Sequence, residues 1–234
     1  IIVGSVRTFR QFERCAEKEN LPADCAPETL TDTLRALSAD DGVHGVLLLR
    51  PLPAALRAQE ILDALDARKD VDGMTTWSLG ALVTGAAGFA PCTAEACMTL
   101  LRAHGIDPAG KRVTVVGRSL VIGRPAALLL TRADATVTLC HRKTPDLAAR
   151  CRAADILLAA AGAPGLITPE CVRPGQIVLD AGATALPDGT LRGDVTPAAA
   201  AIAACTPVPG GIGSVTTALL LRHTVQAAEK SHHF

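Results

Sequence analysis

Aromatic residues are nearly absent from this chain of 234 residues, which has no tyrosine, one tryptophan and four phenylalanines. Proteins that bind single-stranded nucleic acid stack the bases on aromatic side chains, and this chain has too few of them for such a surface. The chain also lacks an excess of either charge, with 23 basic and 23 acidic residues. A balanced charge gives no attraction to a phosphate backbone or to an anionic membrane. We therefore expect neither a nucleic acid nor a membrane as a partner.

Long apolar runs and closely paired cysteines are absent as well. No apolar run reaches the roughly 18 residues of a membrane span. The eight cysteines include no C-x-x-C pair and no Cys/His cluster, which argues against a metal site and a disulfide framework. We expect reduced thiols in a cytoplasmic protein. The chain has no initial methionine and opens on the apolar strand pattern of residues 1–4, so we expect that an N-terminal segment is missing.

Strand and helix patterns alternate along the chain, which predicts an α/β fold of one large or two small domains. Apolar strand patterns cover residues 1–4, 43–49, 113–116, 135–140, 155–160 and 176–180. Helical spacing of apolar residues is found over 5–19, 27–38, 54–65, 94–104 and 215–229. Residues 75–88 are rich in glycine and are predicted to form a loop.

The stretch 113–125, with the sequence VTVVGRSLVIGRP, contains the clearest functional signal. A strand leads into a glycine turn and then a helix, which is how a dinucleotide-binding fold begins. We assign Gly117 to the tight turn and Gly123 to close backbone approach, and we place Pro125 near the first helical turn. The simpler interpretation is a strand-to-helix connection that uses its glycines only for geometry.

Arg142 and Lys143 follow the next strand, at the position that meets the adenine ribose in dinucleotide folds. An acid there selects NAD, whereas basic residues accept the 2′-phosphate of NADP. The pair therefore favours NADP, although an exposed basic turn has the same composition. Ala161 and Gly162 end a further strand, where small residues leave room for a ligand.

Three other stretches have both a functional and a purely structural interpretation. Residues 69–73 (KDVDG) place two acids and a lysine in a turn, which could be a solvated turn or a binding site. Residues 91–93 (PCT) open a helix, with Thr93 as the expected N-cap. Residues 206–213 (TPVPGGIG) predict a rigid loop that serves as a ligand clamp or as a hinge.

Taken together, six stretches resemble the bifunctional methylenetetrahydrofolate dehydrogenase/cyclohydrolase family, in the family's order and spacing. They are VLLLRPLP at 46–53, KDVDG at 69–73, PCT at 91–93, VVGRSLVIGRP at 115–125, ATVTLCHRKT at 135–144 and TPVPGGIG at 206–213. The resemblance implies an α/β fold with a folate-binding domain (1–87 and 215–234) and a Rossmann-type NAD(P)-binding domain (88–214). It also implies a cleft between the two domains and a homodimer.

The resemblance further implies which residues bind each ligand. For NADP they are Thr93, Gly117, Arg118, Ser119, Gly123, Pro125, Arg142, Lys143, Ala161 and Gly162. For the tetrahydrofolate derivative they are Asp72, Pro209, Gly210 and Gly211, with the Asp72 carboxylate on the aminopyrimidine edge of the pterin.

The cyclohydrolase half departs from the family pattern. Relatives place a tyrosine and a lysine on the first helix, and Thr8 and Phe12 stand at these positions here. A glutamine that contacts this lysine is replaced by Arg50, whose guanidinium stays protonated and is a poor base. Arg50 could instead anchor a carboxylate or fold back toward Asp72. No other residue on the first helix offers a replacement base.

The leading hypothesis is therefore an NADP-dependent methylenetetrahydrofolate dehydrogenase with weakened or absent cyclohydrolase activity. Two alternatives stay open. One is a dehydrogenase for another one-carbon substrate, and the other is a non-catalytic paralogue that binds folate or a nucleotide.

Overall fold

A computed structural model describes residues 2–4, 16–18 and 20–231. The chain divides into two compact units. The first comprises Ile1–Cys92 and Ala218–Phe234, and the second comprises Thr93–Thr217. Each unit contains its own β-sheet together with helices.

Within the described residues, the sheet of the first unit has three strands: β1 (Ile2–Gly4), β2 (Ala16–Lys18) and β3 (Gly45–Leu47). Their order is β2-β1-β3, and both pairings are antiparallel. The helix predicted over 5–19 is wrong at its C-terminal end, because residues 16–18 pair with β1 as a strand. Tertiary pairing has overridden the local spacing of apolar residues there. Residues 5–15 lie outside the described part of the chain.

The apolar run 43–49 gives a shorter strand than its sequence predicts, and this strand pairs antiparallel rather than in a parallel sheet. Val43, His44 and Leu48 are buried although they lie outside β3. Tertiary contacts bury them without strand pairing, so the apolar run is longer than the paired segment. The continuous apolar run 43–49 therefore indicates which residues are buried, and it does not indicate the length of the strand.

Helix α1 (Pro27–Ala39) confirms the helical pattern of residues 27–38. Proline suits the first turn, because the N–H groups there have no acceptor within the helix and proline lacks this group. Leu30 and Leu34 of the same helix are buried. The helix has no basic residue of its own in its last turn. The Lys69 ammonium takes that place and donates to the carbonyl oxygens of Leu37, Ser38 and Asp40 at 3.2, 2.7 and 2.7 Å.

The continuous helix predicted over 54–65 is wrong. The segment forms a single 3₁₀ turn (Ala54–Leu56) and then the short helix α2 (Gln59–Leu62). The break falls at Ala58, whose backbone is extended. The side chain of Gln59 donates to the carbonyl oxygen of Met74 at 3.0 Å, a tertiary contact that helical periodicity cannot predict.

The glycine-rich loop predicted over 75–88 is wrong in its first half, which forms helix α3 (Thr76–Thr84). Thr75 caps the helix by accepting a hydrogen bond from the N–H of Ser78. Gly85 ends it in the left-handed conformation, with φ of 80°, where glycine is favoured. Both caps have ordinary sequence signals that the glycine content of the segment concealed.

Helix α4 (Cys92–Ala103) confirms the helical pattern of 94–104 but starts earlier. Thr93 therefore lies inside the first turn, and its assignment as the N-cap is wrong. Gly105 follows the helix with a φ of 66°, a conformation in which glycine is favoured. The N–H of Ile106 donates back to the carbonyl oxygen of Leu101 at 2.9 Å, which completes the termination motif.

The second unit is built on a five-stranded parallel sheet. Its strands are β4 (Arg112–Val116), β5 (Thr136–Cys140), β6 (Ile156–Ala159), β7 (Ile177–Asp180) and β10 (Ala204–Cys205), in the order β10-β7-β6-β4-β5. All four residues of β6 are buried, as expected for a parallel strand with both faces covered. The strands predicted over 113–116, 135–140, 155–160 and 176–180 are confirmed as β4, β5, β6 and β7, whereas β10 was not predicted.

Helices and one hairpin complete the chain. They are α5 (Gly123–Arg132), α6 (Leu147–Ala153), the hairpin β8 (Thr184–Ala185) and β9 (Leu191–Arg192), α7 (Pro197–Ala200) and α8 (Ile212–Ser231). From β4 the chain passes to its neighbour β5 and then returns to β6 on the other side of β4. Ligands of open α/β sheets bind at the carboxyl ends of the strands beside such a reversal.

Two aspartates hold the N-terminus of α3, and they differ in burial. Buried Asp70 accepts from the N–H of Thr75 and the hydroxyl of Ser78, both at 2.7 Å. Exposed Asp63 accepts from the N–H and hydroxyl of Thr76 at 2.7 and 2.6 Å. An unsatisfied donor costs free energy only where water cannot reach it.

We therefore expect Asp70→Ala to lower the free energy of unfolding by about 2–4 kcal/mol. The matched variant Asp63→Ala should cost about 1 kcal/mol, because water replaces the carboxylate. Urea denaturation followed by circular dichroism measures both. Equal losses of unfolding free energy in the two variants would show that burial does not distinguish Asp70 from Asp63.

Candidate functional site

The loop after β4 brings two backbone segments into contact at the reversal of the strand order. Gly117 has a φ of 120°, and a Cβ atom there would overlap the carbonyl oxygen of Ala160. A Cβ atom on Gly123 would overlap the carbonyl oxygen of Gly117. The N–H of Ala160 also donates to the carbonyl oxygen of Val116 at 2.8 Å. Both glycines are therefore required by close backbone approach.

The same loop presents a hydroxyl and a cation beside the start of α5. The Ser119 hydroxyl accepts from the N–H of Ile122 at 3.1 Å, so its own hydrogen is available to a ligand. Its carbonyl oxygen accepts from the N–H of Arg124 at 3.0 Å. Arg118 and Ser119 are exposed, and Pro125 is buried in the first turn of α5.

A tight turn after β5 carries the basic pair. The N–H of His141 donates to the Thr144 hydroxyl at 2.8 Å, and the N–H of Thr144 returns to the His141 carbonyl oxygen at 2.8 Å. The N–H of Lys143 donates to Nδ1 of His141 at 3.1 Å. Arg142 and Lys143 are both exposed. A fixed turn thus presents two cations at the carboxyl edge of the sheet.

These features fit a dinucleotide that carries an additional phosphate. The glycines bring backbone close to backbone, and the N-terminus of α5 favours negative charge. Arginine and lysine both bind phosphate. No acidic residue stands within the turn of residues 141–144, where an acid would bind a ribose hydroxyl and repel a phosphate.

A pocket of about 420 Å³ in the second unit contains several of the predicted residues. Thr93 lines it, together with Pro209, Gly210 and Gly211. The loop 206–211 is anchored to β7, because the N–H of Thr206 donates to the carbonyl oxygen of Val178 at 3.0 Å. The pocket thus joins one residue that was assigned to the cofactor with three that were assigned to folate.

Ala161 and Gly162 lie at the predicted end of β6, but their N–H groups are already bonded. Both donate to Asp194, at 2.6 and 3.1 Å. Asp194 was missed in the sequence analysis, as was Asp180, which lines the pocket. The available signal was an acid between a glycine and a β-branched residue in an irregular stretch, Gly193-Asp194-Val195.

Asp72 is the perturbed acid of the first unit. Burial and the neighbouring charge of Asp70 raise its pKa from 3.8 to about 6. The charge of Arg50 and hydrogen bonds from the backbone N–H and thiol of Cys92 oppose this rise. Cys92 is the first residue of α4, so the carboxylate lies at a helix N-terminus. Asp72 is therefore largely ionised at neutral pH but loses its charge near pH 6.

A buried histidine, also missed in the sequence analysis, fixes the backbone beside Asp72. Nδ1 of His223 donates to the carbonyl oxygen of Val71 at 2.8 Å. The Cys92 thiol lies 3.2 Å from the same oxygen and 3.4 Å from Nδ1. The imidazole stacks on Phe89 with ring centroids 4.6 Å apart. A histidine in the middle of a helical pattern gives no local signal of such a contact.

Of the three positions that depart from the family's cyclohydrolase pattern, the structure describes Arg50 alone. Thr8 and Phe12 lie outside the described residues. Arg50 is exposed and close enough to Asp72 for its charge to lower the pKa of that carboxyl. Of the two options left open for Arg50, the structure places its charge near Asp72.

Comparison with known proteins decides the family. The model of the tetrahydrofolate dehydrogenase/cyclohydrolase NAD(P)-binding domain matches residues 91–232, more than half of the chain. The model of the catalytic domain of the same family matches residues 4–72. This chain belongs to the tetrahydrofolate dehydrogenase/cyclohydrolase family.

Individual family members agree with this assignment. The bifunctional protein FolD of a Synechococcus species is 49% identical over 215 residues, which are 91% of this chain and 73% of that protein. FolD 1 of Rhodococcus jostii is 51% identical over 211 residues, 89% and 71% of the two chains. FolD of Trypanosoma brucei, solved with NADP and an inhibitor, is 38% identical with a TM-score of 0.85, covering 92% of this chain and 76% of that one.

Within the described residues, no group of three or more His, Cys, Asp or Glu side chains is arranged to hold a metal ion. Over the same part of the chain, no helix combines the length and the hydropathy needed to cross a bilayer.

The raised pKa of Asp72 predicts a pH dependence of stability. Between about pH 4 and pH 6 the folded protein holds a proton on Asp72 that the unfolded chain has lost. Asp72 thus makes stability fall as pH rises through this window. Asp72→Asn removes the titration, while the asparagine oxygen can still accept from the N–H of Cys92.

We expect Asp72→Asn to gain about 2–3 kcal/mol of stability relative to the parent protein between pH 4 and pH 7. Chemical denaturation at a series of pH values measures this difference. Exposed Asp24→Asn controls for the general loss of a carboxylate. Parallel pH curves for Asp72→Asn and the parent protein would contradict the prediction.

Proposed function

We propose that this family member is an NADP-dependent methylenetetrahydrofolate dehydrogenase whose cyclohydrolase activity is weakened or lost. One observation carries the proposal. The Gly117–Gly123 loop and the basic turn of residues 141–144 lie at the ends of the neighbouring strands β4 and β5, where both can contact one dinucleotide. Family membership supports a tetrahydrofolate derivative as the substrate. We assign folate to a domain of residues 1–87 and 215–234, and NADP to residues 88–214.

The dehydrogenase step makes few chemical demands on the protein. Bound NADP supplies the acceptor for a hydride from the methylene bridge of the folate. The bridging carbon lies between two nitrogens, which stabilise the cation that is left. The protein therefore needs chiefly to hold the two ligands in register. Asp72 offers a carboxylate to the paired donors of the pterin, and Pro209, Gly210 and Gly211 line the pocket.

Hydrolysis of the resulting cation is more demanding, because it requires proton transfer to and from water. Thr8 and Phe12 occupy the positions of the family's tyrosine and lysine. A phenyl ring carries no proton, and a threonine hydroxyl is a weak acid and a weak base. The permanently protonated guanidinium of Arg50 replaces the glutamine partner. These three substitutions support the loss of water activation.

We also propose a cytoplasmic homodimer. None of the seven cysteines in the described chain forms a disulfide, which suits a reducing compartment. Trp77 and Val83 of α3 are 68% and 65% exposed. Large apolar side chains at these exposures suit a subunit contact.

The basic turn predicts the choice of cofactor. Replacing both Arg142 and Lys143 with glutamine should raise the KM for NADP about 10- to 100-fold, because charge-assisted bonds to the 2′-phosphate are lost. The KM for NAD should change little, since NAD lacks that phosphate. Initial rates of hydride transfer with each cofactor test this prediction.

A matched control is Arg132→Gln, which removes one exposed positive charge from the last turn of α5. That end of the helix lies at the amino edge of the sheet, away from the basic turn. An equal rise in KM for both cofactors in the double variant would argue against recognition of the 2′-phosphate.

The two activities should separate in the purified protein. We expect methenyltetrahydrofolate to accumulate during NADP reduction, because its hydrolysis is slow without a general acid or base. The double variant Thr8→Tyr/Phe12→Lys should then raise the hydrolysis rate by at least about 10-fold, since general acid–base catalysis contributes roughly 10²–10⁴-fold. Spectrophotometric assays follow each step.

Thr8→Tyr/Phe12→Met is the matched control, because it restores the tyrosine and supplies a long side chain without the amine. Hydrolysis by the parent protein as fast as its hydride transfer would overturn the proposed loss. It would also leave Asp72, with its raised pKa, as the remaining candidate base.

A further inference from the structure

Two buried carboxylates lie at the carboxyl edge of the parallel sheet. Asp194 is 0% exposed and Asp180 is 4% exposed. In the described part of the chain, neither takes part in any of the ion pairs, which all involve other acids. A buried charge without a cation must be satisfied by hydrogen-bond donors. The donors therefore reveal what these two residues hold in place.

Asp194 binds three successive backbone N–H groups of the loop after β6. Its Oδ2 atom accepts from Ala161 and Gly162 at 2.6 and 3.1 Å, and its Oδ1 atom accepts from Ala163 at 2.7 Å. Ala161 and Gly162 are exposed residues. Without Asp194, their N–H groups would face solvent or a ligand.

The Asp180 side chain in turn binds the backbone of Asp194. Its carboxylate accepts from the N–H groups of Asp194 and Val195, each at 3.0 Å, and from that of Gly182 at 2.9 Å. Burial raises the pKa of Asp180, and the charge of Asp194 acts in the same direction, while these N–H groups oppose the rise. The second carboxylate thus fixes the backbone that carries the first.

Two glycines make this arrangement possible. A Cβ atom on Gly182 would lie 2.6 Å from Cγ of Asp194. A Cβ atom on Gly193 would overlap Oδ2 of Asp180. Neither glycine has a positive φ, so the need for space explains them. The backbone has been packed around the two carboxylates.

We infer that Asp194 is a positioning residue of the cofactor site. It accepts hydrogen bonds from the N–H groups of residues 161–163 and thereby fixes the conformation of their loop. In this conformation Ala161 and Gly162 pack against NADP, and their N–H groups do not donate hydrogen bonds to its phosphates. Phosphate donors come from Arg118, Ser119 and the first turn of α5. This inference rests on the proposed NADP function for its ligand.

Amide hydrogen exchange in the unaltered protein tests the inference directly. The amides of Ala161 and Gly162 should exchange slowly without cofactor, although both residues are exposed, and NADP should add little further protection. Fast exchange that slows only when NADP is added would overturn the inference. The measurement without cofactor stands even if NADP does not bind, in which case the proposed function alone fails.

The variant Asp194→Asn provides a second test. Asparagine keeps the shape of the side chain but replaces one acceptor oxygen with an NH₂ group that cannot accept. We expect the Kd for NADP, measured by calorimetry, to rise about 10- to 100-fold. The KM for NADP should rise with it, while the KM for the folate changes less than about 3-fold.

A matched control is Asp188→Asn in the β8–β9 hairpin, where the exposed carboxylate accepts from the N–H and the hydroxyl of Thr190. This variant should leave the Kd for NADP unchanged. In Asp194→Asn, faster amide exchange should be confined to residues 161–163 and their contacts. Uniform loss of protection across the second unit, with equal changes in both KM values, would show a purely structural role and overturn the inference.

Discussion

The first unit depends on hydrogen bonds that converge on the five residues of the KDVDG segment, 69–73. The Lys69 ammonium satisfies carbonyls at the C-terminus of α1, and the Asp70 carboxylate accepts at the N-terminus of α3. The carbonyl oxygen of Val71 accepts from His223 in α8, and Asp72 accepts from Cys92 at the start of α4. Each charge lies at the helix end that its sign stabilises. This one short turn therefore bonds to the ends of α1 and α3, to Cys92 and to a side chain of α8, and the perturbed acid of the site belongs to it.

The second unit uses the same chemistry to shape a different loop. There the buried carboxylates of Asp180 and Asp194 bind backbone N–H groups, and glycines replace side chains wherever the backbone must come close. Ionised carboxylates accept several hydrogen bonds each and are stabilised by them. In each unit, an acid that the sequence would place at the surface is buried and fixes the backbone by accepting hydrogen bonds. These acids are Asp70 in the first unit and Asp194 in the second. The ligand-facing groups are those that this internal bonding leaves available.

Local sequence signals predicted much of the fold. Strands β4, β5, β6 and β7 of the parallel sheet, helix α1 and the two glycines of the dinucleotide loop follow from apolar periodicity and backbone sterics. The failures have physical causes. The glycine content of 75–88 concealed two ordinary caps, and residues 16–18 form a strand because β1 pairs with them. For the site, the basic turn and the pocket loop were found, whereas Asp180, Asp194 and His223 were not.

The sequence by itself determined the α/β class, four strands of the parallel sheet, the glycine loop before α5, the basic pair after β5 and the substitutions at Thr8, Phe12 and Arg50. Only the tertiary structure decided which polar groups face a ligand and which are bonded within the protein. Asp194 lies 33 residues from Ala161, and His223 lies 152 residues from Val71. Hydrogen-bond partners at such separations leave no trace in local periodicity, because folding alone brings them together.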